Sequence, residues 1–139
     1  MIFGSGSNGR DFTFVTETAR GIALAGENEA ALGRNVNIAF GSMVTVERIA
    51  EIVCPLCGRP DLKPIYVDPR PGDIHVLQAD TALARELLGF SAQIDVHAGL
   101  KRYIDWFRSR HPDPAALLEA ETRNWEMPDE HADAARVAS

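Results

Sequence analysis

Apolar and polar positions change rhythm several times along the chain, and each change marks an element. Met1 to Phe3 is a short apolar run that predicts a strand, followed by a Gly/Ser/Asn loop through Arg10. Asp11-Phe12-Thr13-Phe14-Val15 is aromatic and β-branched, which predicts a second strand. Thr16 is expected to cap a helix reaching about Leu32, with Ile22, Ala23, Gly26 and Ala30 on one face and Gly33 ending it. Asn35 to Phe40 reads as a strand. Thr45 then stands at an N-cap position, with Val44 and Ile49 at the spacing of a hydrophobic staple. The helix it opens should bury Ile49, Ile52 and Val53 and stop near Pro55. Ile65-Tyr66-Val67 predicts a short strand leading into the Pro/Gly loop 68–73. Asp80 is expected to cap a compact helix with Leu83, Ala84, Leu87 and Leu88 inward, closed by Gly89. Asp95 caps the longest amphipathic stretch, where Val96, Leu100, Tyr103, Ile104 and Phe107 recur at helical spacing.

After Pro112 the pattern fades into a tail rich in Ala, Glu and Asp. It reads as one weak helix around Ala115 to Trp125 and then disorder. The expected organisation is therefore a domain over 1–111 and an acidic tail over 112–139.

Composition narrows the function classes. The 139 residues are 45% apolar and 24% charged, a soluble balance for one domain of modest size. No apolar run reaches the roughly 18 residues of a membrane span, and the first residues lack the features of a signal peptide, so a cytoplasmic protein is expected. A net charge of −6 argues against a nucleic-acid binder, though a few arginines can still serve a small anionic site. Cys54 and Cys57 are too few for a disulfide framework. Their Cys-Pro-Leu-Cys-Gly segment looks like half a zinc ribbon. Zinc needs four ligands, however, and the remaining ones would have to come from scattered histidines or another chain, so no metal is expected.

The order of the motifs is collinear with a known family. Arg10-Asp11-Phe12 precedes a helix starting Thr16-Glu17-Thr18. Then come Val36-Asn37-Ile38, the Thr45-capped helix, Arg70-Pro71-Gly72-Asp73, the run Ala79-Asp80-Thr81 to Leu88-Gly89-Phe90, and the helix through Trp106-Phe107. Over residues 1 to about 110 this resembles the C-terminal part of the extended short-chain dehydrogenase/reductases, the NAD-dependent nucleotide-sugar epimerases and 4,6-dehydratases. The resemblance implies a small mixed α/β substrate-binding domain without a complete Rossmann domain. It also implies a nucleotide-diphosphate sugar as ligand, with NAD held by the other half of the complete enzyme and not by this chain alone.

The same resemblance gives Arg10 the role of a diphosphate contact. A guanidinium suits it because its planar fork of donors matches paired phosphate oxygens and keeps its charge. The competing reading is a surface arginine paired with Asp11 or Glu17. Asp11 is read as orienting Arg10 or the loop. Arg70 is again a phosphate contact, and Asp73 an acceptor for a ribose hydroxyl or the neighbouring arginine, against the plainer reading of a salt-bridged turn. Asn37 is read as structural, since an asparagine at a strand end more often satisfies backbone groups than binds a ligand, and Ala39 stands where the family has glycine.

Two further patterns bear on activity. Gly4-Ser5-Gly6-Ser7-Asn8-Gly9 matches G-x-G-x-x-G, but that loop holds a dinucleotide only where the last glycine opens a helix, and a strand is expected here. Neither Tyr66 nor Tyr103 is followed four residues later by lysine, so the family's Tyr-x-x-x-Lys pair is missing. No catalytic residue is therefore expected. The chain reads as a substrate-recognition half, inactive without a Rossmann half, with a separately encoded Rossmann domain or self-association as its partnering. The alternative is an interaction module without ligand.

Overall fold

The computed structural model describes residues 1–113, and the weak helix expected at Ala115 to Trp125 lies outside them. Residues Met1–Trp106 form one compact unit, and a second begins at Phe107. Within the described residues the strands are all two residues long. β1 (Ile2–Phe3) pairs in parallel with β4 (Tyr66–Val67). β2 (Gly9–Arg10) is central to the other sheet, antiparallel to β3 (Val44–Thr45) and parallel to β5 (Val76–Leu77). The helices are α1 (Val15–Glu27), α2 (Val46–Leu56), α3 (Ala82–Leu88) and α4 (Val96–Arg110), with a 3₁₀ turn at Glu29–Ala31.

The core sits at the end of α3. Gly89 adopts a left-handed conformation (φ 59°) that stops the helix and lets the Phe90 N–H donate to the Ala84 carbonyl at 3.1 Å. This reversal folds the Phe90 ring back beside Ala84 and Leu88, all three essentially removed from solvent. Leu24 and Ala25 of α1, together with Val36, Ile38 and Leu87, close around them. Burying a phenylalanine in such a setting contributes roughly 1.5–3 kcal/mol.

Several predicted elements stand where the sequence put them. Thr45 caps α2, its hydroxyl accepting from the Arg48 N–H at 3.1 Å. Asp95 accepts from the Ala98 N–H at 2.8 Å as α4 opens, and Ile52, Ala84, Leu88 and Ile104 are buried.

Others moved. The predicted strand at Asp11–Val15 is shorter and earlier, ending at Arg10, because side chains take over from the ladder. The Asp11 carboxylate accepts from the backbone N–H groups of Phe40 and Gly41, and the Thr13 hydroxyl also accepts from Phe40. Past the Asp11 N–H, which still reaches the Leu77 carbonyl, these cross-ties hold the segment without strand pairing, and α1 starts at Val15 rather than behind a Thr16 cap. They also hold the Asn35–Phe40 segment, which is not a strand. α1 ends at Glu27, where Asn28 caps the following 3₁₀ turn.

The inward face of α1 is also different from the expected one. Ile22 is 63% exposed, and Glu17, Gly21, Leu24 and Ala25 face inward instead. Gly21 permits this: a Cβ there would lie 2.3 Å from Ile38 Cγ2, so only glycine lets the helix approach so closely. Tyr103, counted in the α4 stripe, is 51% exposed.

Candidate functional site

Arg10 and Asp73 are 63 residues apart in sequence and meet directly. The Arg10 Nη2 donates to Asp73 Oδ1 at 2.6 Å, while Nη1 donates to the Gly9 carbonyl at 2.8 Å. The sheet explains the encounter. Parallel pairing of β2 with β5 brings the segment after Arg70 alongside Gly9 and Arg10, with the Gly9 N–H donating to the His75 carbonyl and the Asp11 N–H to the Leu77 carbonyl.

Arg70-Pro71-Gly72-Asp73 is a tight turn. The Asp73 N–H donates to the Arg70 carbonyl at 3.3 Å, and Gly72 has φ +74°, the value required at the third residue of a Pro-Gly turn. Arg70 thus stands at one end of the turn and Asp73 at the other. The Arg70 guanidinium lies over the Phe3 ring, 4.2 Å from its centroid.

Two further side chains complete the Asp73 cluster. Asn8 donates from Nδ2 to Asp73 Oδ2 at 2.6 Å, and its Oδ1 lies 3.0 Å from His75 Nδ1. Asn8 and His75 are absent from the residues picked on sequence. The strands beside them are only two residues long, so no sequence period marked either residue.

Asp11 does not touch Arg10 by hydrogen bond or salt bridge. Its carboxylate serves backbone N–H groups at Phe40, Gly41 and, at 3.4 Å, Ala79, so it braces the loop. Asn37 is structural, donating to the Asp80 carbonyl at 3.1 Å. The glycine-rich loop leads into β2 and no helix opens before Val15, so its last glycine does not sit at a helix N-terminus.

The Arg10–Asp73 edge is open. The two side chains retain 28% and 31% of their exposure. Arg10 commits two of the five N–H donors of a guanidinium to Gly9 and Asp73, leaving donors for an anion. The neighbouring grooves belong to other residues. One of about 300 Å³ runs between Phe12–Val15 and the face of α4 carrying Val96, Gly99, Leu100 and Tyr103. A shallower one is lined by Gly41 and Gln78–Thr81. Arg10, Arg70 and Asp73 line neither of these two grooves.

The other charged pair near α1 is of a different kind. Glu17 is 5% exposed and receives the Arg20 guanidinium, which also donates to the Ser91 carbonyl and stacks over Phe90. The Arg20 hydrogen bond, with backbone N–H donors of Gln93 and Ile94, holds the Glu17 carboxyl below its ordinary value. The charge is buried as a structural anchor.

Two small sheets and surrounding helices define an accessory α/β unit rather than a complete cofactor-binding domain. The comparisons with known proteins agree. No family model matches the chain, so its kinship rests on individual relatives. It is 30% identical over 109 residues to the UDP-glucose 4-epimerase of Mycolicibacterium smegmatis, an alignment covering 78% of this chain and 34% of that protein. It is 33% identical over 107 residues to the UDP-glucuronate 4-epimerase of Thermodesulfobacterium geofontis, covering 76% and 32%. The crystal structure of the Thermotoga maritima UDP-glucose 4-epimerase with UDP-glucose superposes with a TM-score of 0.70 at 32% identity, covering 78% of this chain and 34% of that one. The chain belongs to the extended short-chain dehydrogenase/reductases, the NAD-dependent epimerase/dehydratase family, as a counterpart of their C-terminal part. It spans about one third of the length of the curated relatives it matches.

Proposed function

We propose that residues 1–106 carry the nucleotide-diphosphate-binding wall of a nucleotide-sugar epimerase or dehydratase. The observation that carries this reading is the meeting of Arg10 with Asp73 across the β2–β5 pairing, with Arg70 at the far end of the same turn. Arg10 and Arg70 supply delocalised positive charge for a diphosphate, and Asp73 supplies an acceptor for a ribose hydroxyl while holding Arg10 in place. A relative crystallised with UDP-glucose supports this choice of ligand.

In this reading the catalytic groups are supplied from outside the domain. Removing a proton from a sugar hydroxyl while hydride passes to NAD requires a base and a cofactor placed against the reacting carbon. Phosphate contacts remote from that carbon supply binding, and binding alone does not lower the barrier. The chain by itself is therefore inactive in this reading, and a Rossmann half carrying the NAD site and the Tyr-x-x-x-Lys pair completes the enzyme.

Calorimetry with UDP-glucose tests the ligand. Arg10→Ala is expected to weaken affinity about 10- to 100-fold, the equivalent of one charge-assisted contact of roughly 1.5–3 kcal/mol. Affinity unchanged by Arg10→Ala, in a complex where the unsubstituted chain binds, would remove the site. Purified chain interconverting UDP-sugars with NAD would overturn the inactivity.

A second reading, an interaction module without ligand, is favoured by the apolar groove between Phe12–Val15 and α4, where Val15 is 70% and Tyr103 51% exposed. Light scattering separates the two. Dimers that form equally with and without UDP-glucose, with no ligand-induced thermal shift, support the module.

A further inference from the structure

Among the described residues, Cys54 and Cys57 form a chemistry-bearing motif that nucleotide binding leaves unexplained. Both are unpaired thiols, Cys54 partly exposed and Cys57 exposed. They lie at the C-terminal end of α2, Cys54 in its last turn and Cys57 as its capping residue. The chain turns away at once through Gly58, with φ +77°. Residues three apart on a helix stack with Cβ atoms about 5–6 Å apart. Two thiolates at that spacing can approach the roughly 3.8 Å edge of a tetrahedron built on 2.3 Å metal–sulfur bonds.

A Cys-x-x-Cys pair serves either redox exchange or metal binding, and its place on the helix separates the two. Reactive dithiols gain thiolate character from a helix N-terminus. This pair sits at the opposite end, where the last carbonyls carry partial negative charge. That end resists a bare thiolate and favours a cation. We propose that Cys54 and Cys57 are half of a four-sulfur zinc site, completed by the same two cysteines of a second copy of this chain.

The stoichiometry follows from what surrounds the pair. Among the described residues no group of three or more His, Cys, Asp or Glu side chains is placed to hold a metal ion. A structural zinc takes four protein ligands, so two must come from elsewhere, and a two-fold axis through the metal supplies an identical pair. Binding exchanges one proton of each thiol for a zinc–sulfur bond, with no change of oxidation state. The Arg59 backbone N–H donates to the Cys54 carbonyl at 2.9 Å, tying the turn that follows Cys57 back onto α2, and the Arg59 guanidinium is held by Asp61 at 2.8 and 3.0 Å.

The test uses the full chain, reduced and stripped of metal, titrated with zinc against a chromophoric chelator while light scattering follows the mass. Retention of about one zinc per two chains is expected, with monomer converting to dimer and EDTA reversing it. Cobalt in place of zinc is expected to give the intense near-ultraviolet thiolate-to-cobalt band and tetrahedral visible bands. Cys54→Ser and Cys57→Ser should each abolish both readouts while circular dichroism stays unchanged, and His75→Ala should alter neither. No retained zinc, one zinc per chain without a change of mass, a mass indifferent to zinc, or a cobalt spectrum unaltered in Cys57→Ser would each overturn the proposal. None of these outcomes depends on whether Arg10 binds a nucleotide.

Discussion

Two carboxylate–guanidinium pairs, Glu17–Arg20 and Arg10–Asp73, differ sharply in how far their carboxylates are removed from solvent. Glu17 and Arg20 are one helical turn apart, with the Glu17 side chain 7% exposed and the segment from Ser91 to Ile94 closing over the pair. Arg10 and Asp73 come from distant segments, each about 30% exposed, on a sheet of two-residue strands. In the first pair the Glu17 carboxylate is enclosed by its own protein, while Arg20 keeps 41% of its exposure. The second is held in position but remains open to an anion. Burial rather than the ion pair itself sets what such a pair contributes to stability: exposed pairs contribute little, and breaking a buried one leaves an uncompensated charge.

The largest expected effect lies in the core beneath the Glu17 pair. Phe90→Ala should cost about 3–5 kcal/mol in urea unfolding, since the ring is 1% exposed and Arg20 stacks on it. A loss below about 1 kcal/mol would mean that the α1–α3 layer is not the stabilising centre.

Glu17→Gln comes next, at about 2 kcal/mol near neutral pH, moderated by the 41% exposure of Arg20. Its pH dependence has a definite sign. The folded carboxyl titrates below the usual 4.5, so its contribution is complete above that pH and is lost as pH falls through the folded value. The stability gap between wild type and Glu17→Gln should therefore be flat above about pH 5.5 and narrow in acid. A gap that widened on acidification would contradict the assignment.

Smallest of all in stability should be Asp73→Asn, within about 1 kcal/mol, because solvent already screens the Arg10 pair. Its consequence should appear in UDP-glucose affinity instead, measured by calorimetry. If Asp73→Asn destabilised the fold as much as Glu17→Gln, the Arg10 edge would be structural and the contrast would collapse.

Much of the helical half was legible in the residues. Thr45 and Asp95 open helices by satisfying N–H groups within three residues, and Gly89 closes one through its own backbone freedom. Those are local decisions. The strands were harder to place. Asp11–Val15 has strand composition, yet Asp11 and Thr13 spend their side chains on the Phe40 and Gly41 backbone, partners nearly thirty residues away. β3 and β5 are two residues each, too short to leave a period in the sequence. The inward face of α1 escaped for a related reason. The apolar pattern selects Ile22, whereas the packing turned on Gly21 against Ile38 and on a glutamate buried beneath Gln93 and Ile94.

The sequence by itself therefore determined the helix boundaries set by caps, the collinear motifs that mark the family, and the identity of Arg10, Arg70 and Asp73 as chemistry worth locating. Only tertiary structure decided that Arg10 meets Asp73 with Asn8 beside it, that Asp11 braces a loop instead, and that Glu17 is buried. Caps and periodicities are written by neighbours within a turn of helix. A meeting between residues 63 apart depends on which strands pair, and that choice is made by the whole chain at once.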